Sequence, residues 1–222
     1  MKTIIIIPAR GNSKRIPEKN VLVFNNEPLI AHSIKYAKQN SEISTDVYVT
    51  TDNDKIKEVA LNYGANVIDR PNEISGDHST TVSALKHVLQ TIEVKYDVVV
   101  LLQPTNPLRP KDLLSKAYKS FIASKSDSLM SVSKNDKKLG RIVNGYFQPY
   151  TYKMGQRSQD IEPLYFENGL LYITKSELIM TDDILGKVNV PYIVEHPYAT
   201  VDIDTVEDLK YAEFIVKNYP DE

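Results

Sequence analysis

A basic loop at residues 7–20, with the sequence IPARGNSKRIPEKN, has the residue types of a polyphosphate-binding site. The Gly-Asn-Ser run at residues 11–13 can bend the backbone so that its amides point inward, and cations around such a nest match a polyphosphate. The loop lacks the Walker A spacing, and its single glycine cannot form the G-x-G-x-x-G fingerprint. A solvated basic turn is the alternative interpretation. The cations are Arg10, Lys14, Arg15 and Lys19, against one acid, Glu18.

A pair of carboxylates later in the chain, Asp202 and Asp204, has the chemistry of a divalent-metal site. Residues two apart on a strand point to the same face, so we predict that both carboxylates address one point while Ile203 faces the core. Two hard oxygen donors suit Mg²⁺ held jointly with substrate phosphates and water. Either aspartate could instead cap a helix predicted from Thr205, which competes for that role.

The basic loop and the acidic pair together would supply the cations and the metal ion on which phosphoryl and nucleotidyl transfer depend. The 27 Lys and Arg against 29 Asp and Glu give a formal net charge of -2, which does not indicate binding to nucleic acid or to an anionic membrane. With 0 Cys, the chain has no thiolate metal ligand and no cysteine nucleophile. The apolar run at residues 4–7 is too short for a signal sequence. Together with the lack of cysteine, it leads us to expect a soluble cytoplasmic protein.

Short β-branched runs alternate with helix-like stretches, which predicts βαβ units and a mainly parallel sheet covered by helices on both faces. The predicted fold is therefore α/β, a Rossmann-like three-layer α/β/α arrangement. In such sheets ligands bind beyond the carboxyl ends of the strands, which is where the basic loop begins. Strands are predicted at residues 3–8, 45–51, 65–68, 97–102, 128–132, 169–174 and 188–194, and helices at residues 28–39, 54–63, 81–93, 111–123 and 205–218.

Residues 135–163 depart from this alternation, because they are polar, rich in tyrosine and interrupted by glycines. They predict a small excursion that protrudes from the sheet, such as a hairpin or a partner-binding arm. No linker is long enough to require a second domain, so we predict a single nucleotidyltransferase domain over residues 1–222.

Five segments give the chain a resemblance to the acylneuraminate cytidylyltransferases, the CMP-sialic acid synthetases. The resemblance spans residues 3 to about 215, and its first and third segments are the specific ones. The related CMP-Kdo synthetases share the basic loop but lack the QPT-x-PLR motif and the asparagine corresponding to Asn20, which favours the sialic acid branch. The segments are IPARGNSKRIPEKN, RPNEISGD (residues 70–77), LLQPTNPLR (residues 101–109), FENG (residues 166–169) and DID (residues 202–204).

This resemblance implies a Mg²⁺-dependent transfer of CMP from CTP to the anomeric hydroxyl of a nine-carbon 2-keto sugar acid, with release of pyrophosphate. The acceptor would be N-acetylneuraminic acid or a relative such as legionaminic acid. Asp202 and Asp204 would hold the Mg²⁺ ion. The implied catalytic residues are Arg10, Lys19 and Asp204, and the implied nucleotide-binding residues are Arg10, Ser13, Lys14, Lys19, Asn20, Arg70 and Thr81.

On the acceptor side, two positions depart from the family's pattern. Many relatives have a second arginine where this chain has Ser158, and Arg or Tyr is frequent where it has Phe166. Both changes make the implied pocket more apolar, which favours a dideoxy diacetamido acceptor such as legionaminic acid over N-acetylneuraminic acid. The sugar contacts that the resemblance implies are Gln103, Arg157, Gln159 and Phe166.

The family's excursion exchanges between the subunits of a dimer and contributes to the neighbour's sugar site. The resemblance therefore implies a homodimer in which residues 135–163 are the dimerisation arm. Three alternatives stay open: a CMP-Kdo-type synthetase, a metal-dependent nucleotide-sugar glycosyltransferase and a non-catalytic nucleotide sensor. Against the glycosyltransferase, the aspartate pair lies late in the chain rather than directly after the nucleotide-binding strands.

Overall fold

The computed structural model describes residues 1–220, and residues 221 and 222 of the predicted domain lie outside this described part. The strands of residues 1–220 are β1 (Thr3–Pro8), β2 (Val23–Phe24), β3 (Glu27–Pro28), β4 (Val47–Thr51), β5 (Asn66–Asp69), β6 (Val98–Leu101), β7 (Ser128–Asn135), β8 (Gly140–Val143), β9 (Tyr146–Pro149), β10 (Leu164–Lys175) and β11 (Asn189–Ile193). The α-helices of the same residues are α1 (Leu29–Gln39), α2 (Asp54–Asn62), α3 (Thr81–Thr91), α4 (Leu113–Ser124), α5 (Ser176–Met180) and α6 (Val206–Asn218).

Within residues 1–220, seven of these strands form one sheet in the order β11-β7-β10-β6-β1-β4-β5. The strands β6, β1, β4 and β5 pair in parallel, and so do β11 and β7. β10 runs antiparallel to both of its neighbours, β6 and β7. The predicted mainly parallel α/β fold is confirmed, and the sequence pattern did not indicate the one reversed strand.

The first strand shows why helices cover both faces of the sheet. Ile5 and Ile7 pack into a core with side chains of α1, α2 and α4, whereas Ile4 and Ile6 pack into a second core with α3 and α5. All four isoleucines are fully buried. Because alternate residues of a strand point to opposite faces, a run of four isoleucines requires apolar partners on both sides. The predicted three layers follow from this burial.

The predicted excursion is a hairpin in which β8 and β9 pair antiparallel and form a small sheet of their own. It lies between β7 and β10 in the chain. β10 begins at Leu164, five positions before the predicted residue 169, and its pairing with β7 is irregular between Glu167 and Tyr172. Among residues 1–220, no helix is both long and apolar enough to cross a membrane.

Candidate active site

A first cavity of about 410 Å³ opens where β1, β5 and β6 end. It brings together the basic loop, the segment after β5 and the acidic pair. Lys14 does not line this cavity in the described part of the chain, and its ammonium group pairs instead with Asp77 at 2.6 Å. The predicted site residues that line it are Arg10, Ser13, Lys19, Asn20, Arg70, Thr81, Gln103, Asp202 and Asp204.

The basic loop is held in place from both ends. The Gly11 amide donates a hydrogen bond to Asp52 Oδ1 at 2.8 Å, and Asn20 Nδ2 donates to the Arg10 carbonyl at 2.9 Å. Gly11 also packs against Asn53, since a Cβ at residue 11 would lie 2.7 Å from Asn53 Cβ. The buried Asn20 therefore shapes the loop as well as lining the cavity.

Two carboxylates neutralise the cations of the basic loop. Asp204 pairs with Arg15 at 3.0 Å and with Lys19 at 2.7 Å. Asp77 pairs with Lys14 at 2.6 Å and with Arg10 at 3.2 Å. The hydrogen bond from Lys14 and the charges of Lys14 and Arg10 lower the pKa of Asp77 below its usual value. These cations therefore meet anionic oxygens in the geometry that a phosphate would also satisfy.

Arg70 is a buried charge at the wall of the first cavity, with 8% of its surface exposed. Its Nη2 donates to the Thr50 carbonyl at 2.6 Å, while Nε has no hydrogen-bond partner among residues 1–220. Burial lowers the pKa of Arg70 to about 10, so the guanidinium stays charged at neutral pH. A buried donor that lacks a partner is costly, and an acceptor atom of a ligand in this cavity would supply one.

The acidic pair lies in an irregular segment and lacks the strand geometry assumed for it. Residues 201–203 form no sheet pairing; instead, the Ile203 amide donates to the Thr105 carbonyl at 2.7 Å. Even so, Asp202 and Asp204 both line the first cavity and Ile203 is fully buried, as predicted. Neither aspartate caps α6, because Thr205 is the N-cap and forms a capping box with Asp208.

A second cavity of about 840 Å³ adjoins the first, and the two share Gln103 and Asp202 as lining residues. Burial raises the pKa of the Asp202 carboxyl above its usual value, a hydrogen bond from Thr105 opposes the rise, and the charge of Asp204 adds to it. The second cavity mixes charged and amide groups with apolar side chains. The other lining residues are Ser133, Lys134, Asn135, Asp136, Lys137, Leu139, Phe166, Glu167, Asn168, Gly169, Tyr172, Ala199 and Thr200.

Of the predicted sugar contacts, Gln103 and Phe166 line the second cavity, but Arg157 and Gln159 line neither cavity within the described residues. Arg157 instead pairs with Asp160, with Nε 2.7 Å from Oδ2. A single chain therefore does not bring this pair of residues to the site.

Tyr172 and Glu167 are functional candidates that the sequence did not single out. Tyr172 donates to Glu167 Oε2 at 3.1 Å in the wall of the second cavity, and burial raises the pKa of the phenol, with Glu167 contributing. The position of Glu167 inside the FENG segment was the available signal.

A cavity at the carboxyl ends of the strands that is lined by Arg10, Lys19 and Arg70, and that is joined to a larger cavity through one aspartate and one glutamine, is the arrangement expected of a nucleotidyltransferase. The cytidylyltransferase family model matches residues 4–218, and the chain belongs to this family. The family that the sequence motifs indicated is thereby confirmed, and the glycosyltransferase alternative finds no support.

Relatives of known name agree with this assignment. The pseudaminic acid cytidylyltransferase of Campylobacter jejuni serotype O:2 is 34% identical, over 98% of this chain and 97% of its own. The CMP-N,N'-diacetyllegionaminic acid synthase of Legionella pneumophila is 31% identical, over 98% of this chain and 97% of its own. The N-acylneuraminate cytidylyltransferase of Escherichia coli O18:K1:H7 is 32% identical, over 95% of this chain but 51% of its own.

Solved structures share the fold at lower identity. A CMP:2-keto-3-deoxy-manno-octonic acid synthetase complexed with CTP superposes with a TM-score of 0.72 at 17% identity, covering 98% of this chain and 99% of that one. A 4-diphosphocytidyl-2C-methyl-D-erythritol synthase of Anaerococcus prevotii reaches the same TM-score, 0.72, at 14% identity, covering 98% and 96%. These likenesses establish the fold.

The contact between Gly11 and Asn53 gives a prediction for the basic loop. In Gly11→Ala the added methyl group would lie 2.7 Å from Asn53 Cβ, so the loop must move away. We expect the KM for CTP to rise roughly fivefold, as for a weakened charged hydrogen bond, with little change in melting temperature. Gly76→Ala is the control, since the nearest atom to its added methyl group is Ser79 Oγ at 3.8 Å. An unchanged KM in Gly11→Ala would show that the contact does not set the loop.

Proposed function

We propose that this enzyme transfers CMP from CTP to the anomeric hydroxyl of a nine-carbon 2-keto sugar acid. The observation that carries the proposal is that the two cavities share Gln103 and Asp202. A nucleotide in the first cavity, beside Arg10 and Lys19, and a sugar acid in the second would meet at these two side chains. The pseudaminic, legionaminic and N-acylneuraminic acid relatives support both the donor and the acceptor class.

In the proposed reaction the anomeric oxygen forms a bond to the α-phosphorus of CTP as the bond from that phosphorus to the bridging oxygen breaks. The hydroxyl proton is released to a carboxylate of the cleft, and the leaving group is pyrophosphate. Arg10 and Lys19 line the first cavity, so they would take up the charge that develops on the departing phosphates. Arg70 would donate a hydrogen bond to the nucleotide from its Nε, which has no partner within the described residues.

The acidic pair fits a Mg²⁺ ion. Asp202 and Asp204 line one cavity; burial, with the charge of Asp204 adding to it, raises the pKa of Asp202, and a divalent cation would oppose this rise. Within residues 1–220, no group of three or more His, Cys, Asp or Glu side chains is placed to hold a metal ion. The proposed ion would therefore complete its coordination with triphosphate oxygens and water. When bound, it would neutralise the charge of the triphosphate and orient the α-phosphate.

The acceptor that fits the second cavity is a dideoxy diacetamido sugar acid of the legionaminic or pseudaminic type. Phe166 and Leu139 present apolar surface in this cavity. Because apolar side chains offer no hydrogen-bond partner, the additional hydroxyl groups of a more polar sugar would stay unpaired there. Lys134 and Lys137 line the same cavity and would bind the acceptor's carboxylate. The use of CTP accords with the cytoplasmic location expected from a chain without cysteine.

The test is pyrophosphate release from CTP and Mg²⁺ with a panel of acceptors: N-acetylneuraminic acid, legionaminic acid, pseudaminic acid and Kdo. We expect release with a nine-carbon acid, fastest with a diacetamido acceptor, and none without an acceptor. Release with Kdo alone would support the CMP-Kdo alternative. Binding of CTP without turnover on any acceptor would support a nucleotide sensor and contradict the proposal.

We also propose that the chain forms a homodimer through the β8–β9 hairpin. This hairpin and the residues after it expose a cluster of large apolar side chains, and such patches mark interfaces. Dimerisation would also give Arg157 and Gln159 a neighbouring acceptor cavity to reach. The exposed side chains are Ile142, Val143, Tyr146, Phe147 and Tyr150.

Ile142, the most exposed of these at 78%, gives the test of the dimer. Light scattering should give twice the chain mass for the wild-type protein and for the control Val23→Asp, whose side chain is exposed on β2. Ile142→Asp should be monomeric and should lose activity, because the arm would no longer reach a neighbour. A monomeric wild-type protein with full activity would refute the dimer.

A further inference from the structure

We propose that Asn106 is a positioning residue that fixes the wall shared by the two cavities and so aligns Asp202 with the acceptor. The inference rests on the proposed function, because it assigns the second cavity to the sugar acid. It concerns a buried side chain that lines neither cavity in the described part of the chain. Asn106 is 1% exposed and would act only through the groups that it holds.

The amide of Asn106 joins two segments that are distant in sequence. Its Nδ2 donates to the Val201 carbonyl at 2.9 Å and to the Asn168 carbonyl at 3.2 Å. Val201 directly precedes Asp202, and Asn168 lines the second cavity. One NH₂ group therefore spans the metal-site segment and the acceptor wall.

The backbone on each side of Asp202 is held by one hydrogen bond. The Val201 carbonyl accepts from Asn106 Nδ2, and the Ile203 amide donates to the Thr105 carbonyl at 2.7 Å. Both partners belong to the same QPTNPLR loop. Because residues 201–203 have no sheet pairing, these two bonds take the place of a strand in holding the backbone at Asp202, and the Thr105 side chain hydrogen-bonds to its carboxyl group.

The other side of Asn106 supports the acceptor wall. A Cβ at residue 169 would lie 2.7 Å from Asn106 Oδ1, so the close approach requires Gly169, whose φ of 76° also favours glycine. This contact lies where the pairing of β10 with β7 is irregular, between Glu167 and Tyr172. The wall at Asn168 and Gly169 therefore depends on Asn106 where the sheet ladder is interrupted.

Side-chain bonds of Asn168 extend the same network into β7. Asn168 Oδ1 accepts from Ser131 Oγ at 2.6 Å, and its Nδ2 donates to Ser133 Oγ at 3.0 Å. Ser131, Ser133 and Asn168 are all buried. Buried polar networks with satisfied partners specify one geometry, so a change at Asn106 should displace Asp202 and the wall of the second cavity.

The test variant is Asn106→Asp, which keeps the shape of the side chain but places a carboxyl oxygen against the two carbonyls that Nδ2 now contacts. The matched control is Asn40→Asp. Asn40 is also buried, at 4% exposure, and its Nδ2 donates to the Tyr36 carbonyl at 2.9 Å at the end of α1, away from both cavities. Both variants should lower the melting temperature, because each loses a buried hydrogen bond.

The kinetic constants separate positioning from stability. In Asn106→Asp we expect kcat to fall and the KM for the sugar acid to rise, each by about 10-fold, with the KM for CTP within about twofold of wild type. Asn40→Asp should keep all three constants. If both variants lost activity in proportion to unfolded protein, or if the two KM values of Asn106→Asp rose equally, the positioning role would be wrong.

A binding measurement keeps the inference testable without turnover. Mn²⁺ affinity in the presence of CTP, followed by electron paramagnetic resonance, should weaken about 10-fold in Asn106→Asp and stay unchanged in Asn40→Asp. If the wild-type enzyme used no sugar acid, the proposed function would fail while this comparison still decided whether Asn106 positions Asp202. If Asn106→Asp does not fold, Asn106→Ser, which retains a smaller donor, should show the same changes at lower magnitude; wild-type constants and Mn²⁺ affinity there would overturn the inference.

Discussion

Asp204→Asn is expected to lower kcat by about 10³-fold or more while the protein stays folded. Asp204 lines the first cavity, its two oxygens contact Lys19 at 2.7 Å and Arg15 at 3.0 Å, and the proposed Mg²⁺ would bind at the same carboxylate. An amide carries no charge, so the variant would lose the ionic partner of Lys19 together with half of the metal site. Both losses fall on the step in which charge moves from the α-phosphorus to pyrophosphate.

Asp204→Asn should still fold because the Asp204 side chain contributes little to stability. Its side chain does not cap α6, where Thr205 and Asp208 form the capping box. Its carboxylate is partly exposed, and its ion pair with the exposed Arg15 contributes little to stability. We therefore expect a melting temperature within a few degrees of wild type.

Asp69→Asn is the matched control for Asp204→Asn. Asp69 also pairs with a lysine, Lys57 at 2.7 Å, but it lines neither cavity in the described part of the chain. Pyrophosphate release should be normal in Asp69→Asn and undetectable in Asp204→Asn over a Mg²⁺ titration. Near-normal rates in Asp204→Asn would show that Asp204 is not a ligand of the metal ion. Recovery of the rate at high Mg²⁺ would show that Asp204 contributes only to the affinity for Mg²⁺.

The parallel part of the fold was predictable because its signal is local. A strand such as β1, with four consecutive isoleucines buried on both faces, has to lie inside a covered sheet. The reversed direction of β10 depends on the hairpin that precedes it and on pairing with β6, and neither leaves a periodic pattern in the strand itself. The strand geometry assumed for the acidic pair at residues 202–204 was wrong for a related reason. There, Thr105 and Asn106 replace sheet pairing through hydrogen bonds from a loop about 100 residues earlier in the chain.

The composition of the site was also predictable, but its internal pairing was not. Clustered cations after the first strand and two aspartates could be recognised from residue type and topology. The ion pair of Lys14 with Asp77 and the hydrogen bond from Asn106 to the Val201 carbonyl each join segments that are far apart in sequence. For Arg157 and Gln159, even the folded single chain does not suffice, since the proposed contact requires a second copy.

The largest effect expected on the nucleotide side is that of Arg10→Ala. The Arg10 guanidinium lines the first cavity and contacts two acceptors on the facing segment, the Gly76 carbonyl at 3.1 Å and Asp77 at 3.2 Å. A triphosphate oxygen would take the same donors. Loss of a hydrogen bond to a charged group costs about 1.5–3 kcal/mol, so kcat/KM for CTP should fall about 10- to 150-fold. The KM for the sugar acid should not change, because Arg10 does not line the second cavity in the described part of the chain.

Lys55→Ala tests whether the fall in kcat/KM for CTP comes from the contacts of Arg10 or from the net positive charge of the region. Lys55 is an exposed cation that pairs with Glu18 of the same loop but does not line the first cavity within the described residues. Its removal should leave kcat/KM for CTP nearly unchanged and shift only the salt dependence. Arg10→Lys should recover part of the loss, since an ammonium keeps the charge but not the planar, forked donor. If Lys55→Ala and Arg10→Ala lowered kcat/KM equally, the loop would attract CTP by its net charge, and no specific contact to the triphosphate would be needed.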